Sequence, residues 1–233
     1  MGFAILRTKK LKSKLSVLLS LKHSHREQDT PNADPAKLDH NGIVIGSDSA
    51  DKAFKEFSKL LPEKIRKNGV ICIEYLITGS PDNIHKMTRL QQDKYFEDAT
   101  KWLQETHGEK NVFHVGIHRD ETTPHMFAYV IPYDPKGKMN ARHFLGGSDK
   151  LSKMQTDFHE KVAVNYGLER GIKGSKAKHQ KVKRFYSQIN QPDQKIQITA
   201  EDVVPQKTSF FSKETPADVA DRINEDLKDK LQP

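Results

Sequence analysis

Apolar positions along this chain recur at two different periods, one helical and one of strand type, which predicts helices and strands interleaved in a mixed domain. Phe3 to Arg7 reads as a first strand. Thr8 to Lys22 mixes lysines with Leu11, Leu15, Val17, Leu18, Leu19 and Leu21 in the pattern of a basic amphipathic helix. Gln28 to Ser49 is rich in Pro, Asn, Asp and Gly and reads as a long irregular loop, a kind of segment that often carries function. A helix capped by Ser49 or Asp51 follows, with Phe54, Phe57, Leu60 and Leu61 at helical spacing. The β-branched run Val70 to Thr78 predicts a central strand interrupted by Glu74, a carboxylate that belongs either to a solvated face or to a site. Ser80-Pro81-Asp82 opens a long helix whose stripe of Met87, Leu90, Tyr95, Phe96, Ala99, Trp102 and Leu103 is a packing face, and His107-Gly108 ends it.

Val112, Phe113, Val115 and Ile117, then Met126, Phe127, Ala128, Val130 and Ile131, flank a polar break that closes at Pro124 and predict an antiparallel hairpin. Beyond it lie a turn-rich loop carrying Lys136, Lys138, Arg142 and His143 and a helix from Leu151 to Tyr166. A second basic stretch then holds Arg170, Lys173, Lys176, Lys178, Lys181, Lys183 and Arg184 without one acidic residue. A short strand at Lys195 to Ile198 and a charged helix beginning near Thr215 complete the pattern.

With 233 residues the chain can bury a sizeable core as one domain with a C-terminal appendage. A formal charge of +8 and a pI near 9.3 attract polyanions, nucleic acid or anionic lipid. Cys72 is the single cysteine, which excludes an internal disulfide and a cysteine-rich zinc site and suits a reducing cytosol. No apolar run approaches the eighteen or so residues of a membrane helix, so the expected location is cytoplasmic.

Chemistry concentrates on the hairpin. Side chains alternate along a strand, so His114 and His118 share a face, and antiparallel pairing brings His118 towards His125. Two imidazoles with Asp120 and Glu121 in the connecting turn supply the nitrogen and oxygen donors that Zn, Mn or a similar divalent ion accepts. Read from residues alone, the alternative is a surface hairpin with scattered polar groups. His23, His25 and Arg26 fall just after the first basic segment, in what composition reads as a solvated turn.

The segment HRDETTPHM resembles the third motif of the HUH-type relaxases of the Mob/Pre (MobV) class, H-x-D-E-x-x-P-H-x-H, with His118, Asp120, Glu121, Pro124 and His125 in place and Phe127 where the last histidine stands. His23 and Arg26 have the spacing of the first motif of that class. Glu169, Arg170, Gly171, Ser175, Ala177 and His179 match its ERG-x-x-x-S-x-A-x-H element. The resemblance implies an α+β fold, with an antiparallel sheet of about five strands and helices packed on it. It implies a relaxase domain over residues 1–190 and an extension over 191–233.

It further implies a site- and strand-specific nickase of plasmid origin-of-transfer DNA that serves mobilisation or recombination in a bacterial cytoplasm. The implied nucleophile is His23, with His25 as its neighbouring rival; Arg26 orients the phosphate and Glu121 assists. A divalent cation, Mn²⁺ ahead of Mg²⁺, is held by His118, His125 and a third ligand for which His114, Glu121 and water compete. Lys9, Lys10, Lys12, Lys22, Arg170, Lys173, Lys176, Lys178 and Lys181 are the candidate DNA contacts. The substrate is single-stranded or hairpin DNA at the nick, with no small-molecule substrate, and conjugation machinery is an expected partner. Two other readings fit the hairpin: a metal-dependent phosphodiesterase that activates water, and a DNA-binding protein without catalysis.

Overall fold

The computed structural model describes residues 2–174, 204–205 and 213–231. Contacts divide the chain into a compact unit, Met1–Ser175, and a second unit, Lys176–Pro233. The first holds a six-stranded sheet of β1 (Gly2–Leu11), β2 (Gly42–Ile45), β3 (Cys72–Gly79), β4 (Val112–His118), β5 (His125–Val130) and β6 (Leu168–Glu169). Their order is β2-β4-β5-β3-β1-β6, antiparallel throughout except for the short β1–β6 pair.

Helices α1 (Lys14–Ser24) and α2 (Ala50–Leu60) cover one face of the sheet, where Val17, Leu21, Ala53 and Phe57 meet Cys72, Phe113, Phe127 and Tyr129. On the other face α4 (Arg89–His107) and α6 (Ser148–Lys161) bring Tyr95, Phe96, Ala99, Trp102, Leu103 and Phe158 against Ile73, Tyr75, Val115 and Ala128. Both faces of the central strands are thus buried, which is why β3, β4 and β5 read as nearly continuous apolar runs. Trp102 also donates to Asp157 Oδ2 at 2.7 Å, so its buried indole N–H is satisfied. Two shorter helices, α3 (Pro81–Lys86) and α5 (Ala141–Leu145), complete this unit, and the second unit contains α7 (Pro216–Leu231).

Four segments differ from the pattern read in the sequence. β1 runs on to Leu11, because Lys9 and Lys10 pair with Glu74 and Ile73 of β3, and α1 starts only after Ser13. Ser13 and Ser16 form a reciprocal capping box there. The expected long irregular loop contains a 3₁₀ turn, Pro35–His40, and the edge strand β2, which raises the strand count from about five to six. The long helix is broken: Met87 takes an extended conformation and Thr88 restarts the helix in a capping box with Gln91. The expected helix from Leu151 to Tyr166 ends at Lys161 and continues as a 3₁₀ turn, Ala163–Tyr166. The expected strand at 195–198 lies outside the described residues.

The Thr88 box satisfies two backbone donors at the start of the longest helix of the domain, and Thr88→Ala removes the hydroxyl that accepts from Gln91 N–H at 3.3 Å. We expect this change to lower stability by about 1 kcal/mol, read as a shifted urea midpoint at unchanged m-value.

Candidate metal centre and nucleophile

The hairpin register pairs His118 directly with His125, as strand alternation requires. Their rings approach through His118 Nδ1 and His125 Nε2, 3.2 Å apart. The other nitrogen of each ring faces a backbone carbonyl: His118 Nε2 lies 2.8 Å from the Ser24 oxygen and His125 Nδ1 3.0 Å from the Thr123 oxygen. A carbonyl only accepts, so those acceptors assign the ring protons to His118 Nε2 and His125 Nδ1. Two lone pairs are thereby aimed at each other. Lone pairs so placed need a proton or a cation between them, and outer carbonyls that fix the tautomer are the usual support of metal-binding imidazoles.

Glu121 completes the group, with Oε1 3.9 Å from His125 Nε2. One donor atom each from His118, Glu121 and His125 lies within 4.8 Å of the others, so the three residues could hold a divalent ion. Burial and the neighbouring His125 ring lower the His118 pKa to about 3, which keeps its imidazole neutral and able to coordinate at ordinary pH.

His114 does not join them. Its Nε2 lies 3.0 Å from His25 Nε2, and its ring is buried on the same sheet face but further back along β4. Phe127 occupies the space between. Its ring centroid is 4.5 Å from that of His118 and 5.8 Å from that of His114, and the ring lies against Gly116, where any Cβ would overlap it. The His25–His114 pair separates the two rival nucleophiles. His25 turns inward to His114, whereas His23 at the end of α1 is exposed. Desolvation, then the Arg26 charge, lowers the His23 pKa and leaves its ring neutral. Tyr75, Tyr95 and Tyr129 are fully buried, and the Tyr129 hydroxyl is engaged by Ser20 and Ser24, so none of them can present an attacking oxygen.

Arg26 ties α1 to the hairpin. Nε and Nη2 donate to the two Asp120 oxygens, each at 2.7 Å, and Nη2 also donates to Glu121 Oε1 at 2.8 Å. Burial pushes the Asp120 carboxyl up, but the Arg26 and Asn41 hydrogen bonds outweigh it and hold the pKa at about 2. Two asparagines from the segment before β2 close the arrangement. Asn32 donates to Glu121 Oε2 at 2.5 Å, and Asn41 Oδ1 accepts from the Arg119 and Asp120 N–H groups. Neither asparagine carries a motif, and no periodicity marks them; only the position of their loop next to His23 pointed towards them.

The candidate DNA contacts are scattered by comparison. Lys9 is paired with Glu74 at 3.0 Å, Lys10 reaches the Leu145 carbonyl at 3.5 Å, and Lys12 is exposed while Lys22 is half-buried. Arg170 is an internal tether rather than a free cation, donating to Thr156 and Ser152 of α6 and to the Gly171 carbonyl. Lys173 is exposed, and Lys176, Lys178 and Lys181 lie outside the described residues. Among the described residues, no helix is long and apolar enough to cross a membrane.

His107, His114 and His118 are buried with pKa values lowered from 6.5 to about 4, 3 and 3 by desolvation first. Folded, they bind fewer protons than unfolded below pH 6.5, so stability is intact above that value and falls as pH drops towards 4. At pH 5 each ring accounts for a loss of about 2 kcal/mol. Urea unfolding in EDTA at pH 7 and pH 5 should show this decline, and His114→Gln should make it shallower.

Comparison with known proteins gives the family. The plasmid recombination enzyme (Mob_Pre) family model matches residues 1–187. A 65 kDa protein of Zymomonas mobilis is 36% identical over 204 residues, which are 84% of this chain and 35% of that protein. A type 3 plasmid recombination enzyme of Staphylococcus aureus is 29% identical over 198 residues, 79% of this chain and 48% of its own length. The chain thus spans between a third and a half of these relatives. A crystal structure of the MobM relaxase domain (MOBV), Mn-bound and in complex with plasmid pMV158 oriT DNA, superposes with a TM-score of 0.71 at 27% identity, covering 80% of this chain and 99% of that one. The chain belongs to the Mob/Pre family of plasmid recombination enzymes.

Proposed function

We propose that this chain nicks one strand of plasmid origin DNA by transesterification, with His23 as the nucleophile and a divalent cation held by His118, His125 and Glu121. The observation that carries the reading is the facing pair of lone pairs on His118 Nδ1 and His125 Nε2, 3.2 Å apart and fixed by outer carbonyls. The family supplies the reaction class: the neighbouring MobM relaxase domain is bound to origin-of-transfer DNA and manganese.

When bound, the cation acts as a Lewis acid on the oxygens of the scissile phosphate. The chain's own residues do the rest. His23, neutral and exposed, attacks phosphorus through a ring-nitrogen lone pair; the N–P bond forms as the bond to the 3′ oxygen breaks. The other ring nitrogen of His23 gives up its proton as the adduct forms, the 3′ oxygen gains one and leaves as a hydroxyl, and the 5′ phosphate stays on the imidazole. Reversal of the same step reseals the strand. Arg26 holds the His23 turn against the hairpin, and its Nη1, engaged only by a 3.4 Å contact to the His23 carbonyl, has hydrogen-bonding capacity left for a phosphate oxygen. Asp120 remains ionised and anchors Arg26. Glu121 is shared between Arg26, Asn32 and the metal group, so it orients as well as ligates.

The test is to incubate the protein with Mn²⁺ and supercoiled plasmid bearing its cognate origin, then to look for relaxed circles and a protein-linked strand on denaturing gels. The wild type should give both. His23→Ala should lose the adduct, with nicking reduced on the order of 10³-fold or more, while His25→Gln should still form it. Nicking without an adduct would instead indicate activated water, and an adduct persisting in His23→Ala would exclude His23.

A further inference from the structure

Three hydroxyls that the nicking reading leaves unused share one buried face of the sheet. α1 turns Val17, Ser20, Leu21 and Ser24 inward, a stripe at helical spacing in which both serines are buried. They meet Tyr129 of β5, which is fully buried in the cluster that holds Leu21, Phe113 and Phe127. The Tyr129 hydroxyl donates to Ser20 Oγ at 3.1 Å and lies 2.7 Å from Ser24 Oγ. A phenol has one hydrogen, so with that hydrogen on Ser20 the Ser24 hydroxyl is the donor to the Tyr129 oxygen. Burial pushes the Tyr129 pKa up, and its hydroxyl therefore keeps the proton it donates.

Phenylalanine would fill the same space in this apolar cluster, and alanine the serine positions, with no hydroxyls to satisfy. What the hydroxyls add is a fixed last turn of α1. Ser24 ends the helix, and among the described residues its carbonyl accepts no backbone N–H: the bonds around it run from His25 to Leu21, from Arg26 to His23 and from Glu27 to Lys22. That carbonyl faces His118 Nε2 instead, at 2.8 Å. The His118 proton has a rival position, because a proton on Nδ1 would point at the His125 Nε2 lone pair 3.2 Å away. Without a cation the two tautomers compete. The one that leaves Nδ1 bare wins only while the Ser24 carbonyl stays in place.

We propose that Tyr129 is a positioning residue for the metal group: through the Ser24 hydroxyl it holds the Ser24 carbonyl, which keeps the His118 proton on Nε2 and leaves Nδ1 free to coordinate. The chain of contacts runs from Tyr129 to Ser24 at 2.7 Å and from Ser24 to His118 at 2.8 Å. The inference rests on the reading of His118 as a metal ligand, and the two can fail separately.

The test makes two measurements on Tyr129→Phe, which keeps the ring and removes the hydroxyl. Long-range proton–nitrogen NMR correlations in EDTA at pH 7 report the His118 tautomer. The wild type should hold the proton on Nε2, and the variant should move a measurable share of it to Nδ1. Isothermal titration with Mn²⁺ should show affinity weakened on the order of 10-fold. Ser24→Ala should reproduce both changes, and the double variant should lose no more affinity than either single one. Tyr75→Phe removes a buried hydroxyl on the opposite sheet face, 2.8 Å from His107 Nε2, and should lower the urea midpoint without moving the tautomer or the affinity. Given a wild type that binds Mn²⁺, a tautomer or an affinity left unchanged in Tyr129→Phe would overturn the inference. Full additivity with Ser24→Ala, or an equal loss of affinity in Tyr75→Phe, would overturn it too. A tautomer that shifts in Tyr129→Phe while the wild type binds no Mn²⁺ would reject the metal reading and leave the positioning of His118 standing.

Discussion

The fork between Arg26 and Asp120 is the interaction on which the site depends. Arg26 follows α1 in the left-handed region, with φ 56, where a non-glycine residue carries strain of order 1 kcal/mol or more. The backbone closes around it as a helix terminus, Glu27 N–H donating to the Lys22 carbonyl and Arg26 N–H to the His23 carbonyl, a position normally filled by glycine. An arginine is retained there because its guanidinium reaches two carboxylates of the hairpin. With the Asp120 side chain fully buried, removing Arg26 would strand its charge at a cost of about 3–5 kcal/mol. That fork fixes three things at once: the exposure of His23, the Ser24 carbonyl that sets the His118 tautomer, and the position of Glu121.

The metal group follows from the same geometry. Phe127, standing where the family pattern has a histidine, removes one imidazole and fills the space with a ring packed over Gly116. His114 cannot replace the missing donor, because the Phe127 ring intervenes and His25 engages it. Glu121 is already drawn towards His125 by Arg26 and Asn32, so an oxygen donor is what remains within reach. A carboxylate in place of a neutral imidazole would make the donor set anionic and harder, which suits manganese or magnesium.

Much of this was legible in the residues. The hairpin and its His118–His125 register follow from strand alternation, and the α4 stripe of Tyr95, Phe96, Ala99, Trp102 and Leu103 from helical spacing. The family was legible in the order of its motifs. Short-range competition was harder to read. Lys9 and Lys10 look helical beside the leucines that follow, but Ser13 offers a better cap and β3 offers ladder partners. β2 hides in a Pro- and Asn-rich segment because its Ile43 and Val44 are exposed at a sheet edge and lack alternation with a buried face. Arg170 reads as a phosphate contact from composition, and only tertiary structure reveals the Ser152 and Thr156 acceptors that engage it. The partition between His23 and His25 likewise required the position of His114, eighty-nine residues further along from His25.

The measurement that bears most directly on the central claim is isothermal titration of the metal-free protein with Mn²⁺. The account predicts one ion per chain, binding weakened by more than about 10-fold in His118→Ala and in His125→Ala, weakened less in Glu121→Gln, and unchanged in His114→Gln. Binding that survived loss of His118 and His125, or that was lost with His114, would contradict it.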